Sequence, residues 1–129
     1  MRSNEKFTRR SEDAIEKARR AAGSLGHSFV GTEHLLLGIL REEDGIGSRV
    51  LQRRGLREEA LSTEIARSLG EGMPGVPCQG LSIRAQLAVE GAAREAEALG
   101  QCVIGTEHLL LGILRQPECG ACRALRALQ

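Results

Sequence analysis

The sequence predicts an all-α fold of two pseudo-symmetric helical repeats, about seven helices in all, with the second repeat lacking its last helix. Three observations carry this expectation. The run Gly31-Thr32-Glu33-His34-Leu35-Leu36-Leu37-Gly38-Ile39-Leu40-Arg41 recurs unchanged as Gly105-Thr106-Glu107-His108-Leu109-Leu110-Leu111-Gly112-Ile113-Leu114-Arg115, 74 residues further on. At that offset Arg10, Ala14, Glu16, Ala18, Arg20, Ala22, Leu25 and Gly26 also match Arg84, Ala88, Glu90, Ala92, Arg94, Ala96, Leu99 and Gly100. Such self-similarity marks a tandem duplication whose halves share a fold. Second, apolar residues recur at spacings of three and four, the helical period. Third, Phe7 and Phe29 are the only aromatic residues apart from histidine, whereas sheet cores draw heavily on aromatics.

The elements follow in order. Ala14, Ile15, Ala18, Ala22 and Leu25 form one apolar stripe on a first helix. Thr8 is its expected N-cap, because a hydroxyl there accepts an unpaired first-turn N–H. Gly26 is its expected stop, since glycine adopts positive φ without strain. Thr32 is the expected N-cap of a short second helix through Leu40, apolar around almost its whole circumference and therefore central. Residues 45–54 give a third helix, with Ile46, Val50 and Leu51 expected inward. Residues 56–69 give a fourth, with Leu61, Ile65 and Leu69 expected inward. Gly70, Gly72, Pro74, Gly75, Pro77 and Gly80 then mark a loop. The second half restarts at Leu81-Ser82, with Ser82 in the capping place of Thr8. The chain ends at the counterpart of Gly55, so no helix matches 57–69. The expected organisation is one unit over 1–129: repeat one about 7–69, linker 70–80, repeat two about 81–129.

Composition narrows the function. The chain of 129 residues is 41% hydrophobic and 27% charged, which suits one modest globular core. The net charge of +1 argues against a dedicated nucleic-acid binder, which carries a clear basic excess. The 16 arginines are interleaved with acids, as in Arg41-Glu42-Glu43-Asp44 and Arg57-Glu58-Glu59, the pattern of a solvated, salt-bridged surface. No apolar run approaches the roughly 20 residues that span a membrane. Residues 1–10 are polar without a signal-peptide core. A cytoplasmic setting is expected, with Cys78, Cys102, Cys119 and Cys122 as thiols.

Glu33 and Glu107 are the first candidate site residues. Each falls in the first turn of its helix, where a carboxylate is favoured by the helix dipole alone. Each could equally face a guanidinium, with helix-start N–H groups beside it for an anion. His34 and His108 have no second ligand at i+3 or i+4, so hydrogen-bonded histidines are expected and no metal site. Cys119-Gly120-Ala121-Cys122 is a C-x-x-C in a helical neighbourhood, without the setting of a redox motif or two further ligands for zinc. It is expected to be small-residue replacement; a small thiol or zinc protein using Cys119 and Cys122 is the alternative reading. No catalytic set is legible, so no enzyme activity and no cofactor are expected.

Phe7-Thr8, Leu25-Gly26-His27 and the twice-repeated Gly-Thr-Glu-His-Leu-Leu-Leu-Gly-Ile-Leu-Arg run closely resemble the Clp N-terminal domain. That domain is the double helical repeat at the front of ClpC- and ClpA-type unfoldase ATPases, and the wording here is nearest ClpC. The resemblance covers about residues 7–129. It implies a module that docks substrates or adaptors for an ATP-dependent unfoldase and protease, with a paired site in each repeat for phosphorylated arginine. Glu33 and Glu107 fall on the family's glutamates, and Thr8 and Ser82 on its neighbouring hydroxyls. The chain departs from the family pattern where the second repeat would close with a fourth helix. Lys6 and Lys17, the only lysines, lie in no Walker A loop, so no ATPase module is expected within residues 1–129. An excised N-domain and a stand-alone regulator both fit, and the uncovered second repeat admits a homodimer.

Overall fold

Thr8 and Ser82 open the two halves by the same device. The Thr8 hydroxyl accepts the Ser11 N–H at 3.1 Å and the Ser82 hydroxyl accepts the Ala85 N–H at 3.1 Å, as expected of N-caps. The structure, a computed structural model, describes residues 6–70, 72–73 and 78–128. Among the described residues seven helices follow one another: α1 (Arg9–Ser24), α2 (Thr32–Arg41), α3 (Ile46–Arg53), α4 (Glu58–Leu69), α5 (Ile83–Ala98), α6 (Thr106–Leu114) and α7 (Gly120–Ala127). Among the described residues there is no strand, so the all-α expectation holds. Glu71 and residues 74–77 of the expected 70–80 loop, and Gln129, lie outside the described residues.

Each half begins with a long helix laid against a short buried one. Every residue of α2 from Thr32 to Leu40 is buried. Gly38 is what lets α1 and α2 approach: a Cβ there would overlap the Ala14 carbonyl oxygen. Gly112 does the same for α6 against the Ala88 carbonyl of α5. Gly26 and Gly100, at φ +75 and +71, turn the chain out of α1 and α5.

The halves interlock through their leading segments. The Thr8 N–H donates to the Ile104 carbonyl at 3.0 Å, and the Ile104 N–H to the Lys6 carbonyl at 2.8 Å. In the counterpart, the Val30 N–H donates to the Gly80 carbonyl at 2.8 Å and the Ser82 N–H to the Val30 carbonyl at 2.9 Å. The segment before α1 thus lies beside the start of α6, and the segment before α5 beside the start of α2.

Three expectations are corrected. Thr32 is not the N-cap of α2; Gly31 is, and its N–H donates to His34 Nδ1 at 2.9 Å. The Thr32 hydroxyl instead accepts the Ala121 N–H of α7 at 3.1 Å, and Thr106 accepts the Gly47 N–H of α3 at 3.0 Å. Ile46 and Val50 do not face inward: α3 buries Gly47, Ser48 and Leu51, because its small residues meet the start of α6. Leu69 is exposed at the C-terminal end of α4, whereas Leu61 and Ile65 are fully buried.

The second half shows what α4 does for the first. α4 packs on α2 and α7. Leu40 and Ala124 are each 4% exposed, while their counterparts Leu114 and Val50 are each 46% exposed. α4 thus helps to close the face shared by α2 and α7, whereas the counterpart face shared by α3 and α6 lines an open groove of about 450 Å³ with Leu125 and Leu128 of the α7 end and Ala60 of α4.

Candidate functional site

Two clefts lie where the halves interlock, and both are built across the repeats. Glu33 of α2 lines one of about 600 Å³ together with Ser82 at the head of α5, Arg84, and Gly120 and Arg123 of α7. Glu107 of α6 lines another of about 500 Å³ with Thr8, Arg10, Asp44 and Gly45. The four residues singled out in the sequence therefore come together, but crossed. Glu33 shares its cleft with Ser82, and Glu107 with Thr8, because the leading segment of each half runs beside the other half's glutamate helix.

Glu33 is only 8% exposed, and Glu107 is half-buried. The Glu33 carboxylate lies over Gly120, where a Cβ would collide with it. It thus sits at the start of α7, where partial positive charge concentrates. Among the described residues neither carboxylate has an ion-pair partner.

Arg84 and Arg123 were not singled out by the sequence reading, which took the arginines as surface charge. Among the described residues neither is paired with a carboxylate. The counterpart Arg10 is engaged, lying 3.3 Å from Glu42 and 3.6 Å from Asp44. The hydroxyls differ as well. Thr8 donates its proton to Ser11 Oγ at 3.0 Å, whereas Ala85 replaces that acceptor beside Ser82. The Glu33 cleft thus presents one anionic wall and two unneutralised guanidinium groups. The signal available in sequence was the arginine at the same offset in both halves.

His34 and His108 are buried, each accepting its own N-cap N–H, at 2.9 and 2.8 Å. His34 Nε2 meets His27 Nδ1 at 2.9 Å, while His108 meets Gln101 Oε1. Burial, and then the neighbouring His27, push the His34 pKa down to about 4 from its ordinary 6.5. Between those values the unfolded chain binds a proton that the folded chain does not, so stability falls as pH drops from 6.5 toward 4. The expected loss is up to roughly 3 kcal/mol. It is read as the difference between wild-type and His34→Gln denaturation midpoints across that window, and a constant difference would contradict it.

Cys119 and Cys122 are buried, and both thiols are directed at the Ile113 carbonyl, 3.7 and 3.6 Å away. Burial and the adjacent Cys119 raise the Cys122 thiol to about 11, the opposite of an activated thiolate. Among the described residues no group of three or more His, Cys, Asp and Glu could hold a metal ion. Among the described residues no helix is long and apolar enough to cross a membrane.

Comparison with known proteins agrees with this architecture. Over 123 residues the chain is 38% identical to "Negative regulator of genetic competence ClpC/MecB" of Bacillus subtilis, covering 95% of this chain and 15% of that protein. The N-terminal domain of the chaperone ClpD from Arabidopsis thaliana superposes with a TM-score of 0.77 at 25% identity, over 96% of this chain and 87% of that one. A ClpV N-domain solved in complex with a VipB peptide shares the fold, with a TM-score of 0.72 at 21% identity over 88% of this chain and 71% of that one. The chain spans about 15% of the length of the curated relatives it matches. The model of the Clp repeat (R) N-terminal domain matches residues 6–128, and the chain belongs to that family.

Proposed function

We propose that this chain is a receptor module that docks substrate or adaptor proteins for a ClpC-type ATP-dependent unfoldase by capturing phosphorylated arginine in its two crossed clefts. The observation that carries the reading is the Glu33 cleft, where a nearly buried carboxylate without an ion-pair partner shares the lining with Arg84 and Arg123, neither of them paired among the described residues. A phosphoguanidinium joins a cationic and an anionic end in one group. Glu33 pairs with its guanidinium nitrogens, and Arg84, Arg123 and the Ser82 hydroxyl take its phosphate. Glu107, Thr8 and Arg10 form the weaker counterpart, since Arg10 and Thr8 are already engaged within the protein. The module acts by binding in a cytoplasmic setting, either at the front of a longer ATPase or as a separate regulator that occupies the same partners. The relatives support docking as the role: the ClpV N-domain, alike in fold, was solved with a partner's peptide.

Calorimetry with free phosphoarginine tests the reading, with arginine and inorganic phosphate as controls. Heat with phosphoarginine that neither control reproduces supports it. Equal binding of arginine removes the phosphate from recognition.

The open groove beside Leu114 and Val50 supports a further part of the proposal, a homodimer that buries this face in both copies. Sedimentation of a strict monomer, unchanged by Leu114→Glu, would count against it. A thiol or zinc function for Cys119 and Cys122 gains no support from buried thiols held at a backbone carbonyl.

A further inference from the structure

The two clefts differ in one feature that binding does not require. Beside the Glu33 cleft stands a chain of two imidazoles, and beside the Glu107 cleft a single imidazole and an amide. In the first chain every proton is assigned by its neighbours. The Gly31 N–H donates to His34 Nδ1 at 2.9 Å, so the His34 proton sits on Nε2. Nε2–H then donates to His27 Nδ1 at 2.9 Å. That leaves the His27 proton on Nε2, which donates to the Gly70 carbonyl at 2.8 Å. Gly70 is the C-cap of α4, so the chain ties the end of α4 to the loop between α1 and α2. A neighbouring bond reinforces the tie: the Gly72 N–H donates to the Leu25 carbonyl at 3.0 Å. Leu69, Gly72 and Met73 held by this tie form one wall of the Glu33 cleft.

This arrangement has no place for another proton. A proton on His27 Nδ1 would face the His34 Nε2–H, two donors at hydrogen-bond distance with no acceptor between them. A proton on His34 Nδ1 would face the Gly31 N–H in the same way. Either event breaks a link. The charged groups lining the cleft are Glu33 on α2, Arg84 on α5 and Arg123 on α7. Glu33 favours an added positive charge and the two arginines oppose it. Burial of His34 opposes it further.

We propose that the His27–His34 pair is a proton-sensitive latch that holds the α4 end against the Glu33 cleft near neutral pH and releases it on acidification, with no equivalent at the Glu107 cleft. Gln101 occupies the position of His27 in the second half, and its side chain does not titrate. The link from a second imidazole to the end of α4 is therefore present at one cleft only, although both clefts keep the histidine that accepts its N-cap N–H. The consequence for ligand binding rests on the proposed phosphoarginine reading; the latch itself does not.

Hydrogen exchange at the Gly70 and Gly72 amides, measured on the whole chain without ligand, tests the latch. Between about pH 7.5 and about pH 5.5, protection in the wild type should fall by about tenfold or more after correction for the intrinsic exchange rate. His27→Gln copies the second half's solution, accepting from His34 and donating to Gly70, and should keep protection high at both pH values. His27→Ala should show low protection at both. Wild-type protection that does not change with pH, or an equal loss in His27→Gln, would overturn the proposal. In the Glu107→Ala background, phosphoarginine affinity should then weaken with acid more in wild-type His27 than in His27→Gln. Absence of binding there would count against the ligand reading, while the exchange result still decides the latch.

Discussion

Phosphoarginine binding should vanish when Glu33 and Glu107 are both replaced by alanine, with the helical fold intact. Each carboxylate is the anionic wall of its own cleft, and the clefts lie at separate interlocks between the halves. A charge-assisted hydrogen bond contributes about 1.5–3 kcal/mol. Each single change should thus weaken its own cleft by roughly 10- to 100-fold and leave the other unaffected. The fold should survive because neither side chain has an ion-pair partner to strand. Removing Glu33 gives up only its favourable place at the start of α7, typically about 0.3–1 kcal/mol. Calorimetry of the single and double variants, with thermal melts followed by circular dichroism, checks both halves of the statement. A double variant that binds like wild type would place the ligand elsewhere.

The largest stability effect is expected from adding one methyl group at Gly38. Its Cβ would overlap the Ala14 carbonyl oxygen and crowd the Ala18 backbone nitrogen, both main-chain atoms of α1 that have nowhere to move. α1 must then separate from the most buried helix in the molecule. Overpacking of this kind costs typically about 1–3 kcal/mol, and contact with backbone places it at the upper end or beyond. Gly23→Ala is the control: the same change late in α1 meets nothing within 4 Å. It should stabilise by roughly 0.5–1 kcal/mol, because alanine is the better helix former. Urea denaturation of both variants separates them, and similar midpoints would mean that the α1–α2 approach is looser than described.

These expectations show where sequence reading succeeds and where it stops. The repeat, the helices and the Thr8 and Ser82 caps were legible because each depends on residues close in sequence. A hydroxyl three residues before a free N–H, or alanines at helical spacing, carries its own local physics. Ile46 and Val50 were misplaced because local pattern cannot say which face of a short helix meets a neighbour. α3 turns Gly47 and Ser48 inward, where Thr106 of the other half caps it, and that requirement is tertiary. Thr32 was misplaced for the same reason: its hydroxyl serves α7 of the other half, not its own helix. Glu33, Glu107, Thr8 and Ser82 were all recognised as candidates, yet their pairing was assigned within each half. Only the crossing of the leading segments, through Ile104 and Val30, puts Ser82 beside Glu33 and Thr8 beside Glu107. Arg84 and Arg123 escaped notice because whether an arginine is paired is decided by the fold.

The crossed construction of the sites is therefore the claim to test most directly. Calorimetry with phosphoarginine in the Glu107→Ala background isolates the Glu33 cleft. Arg84→Gln, a change in the opposite half of the chain, should weaken binding there by about tenfold or more. Arg10→Gln, its counterpart in the same half as Glu33, should leave that binding unchanged. Weakening by Arg10→Gln together with indifference to Arg84→Gln would show that each half builds its own site, and would contradict the crossed arrangement.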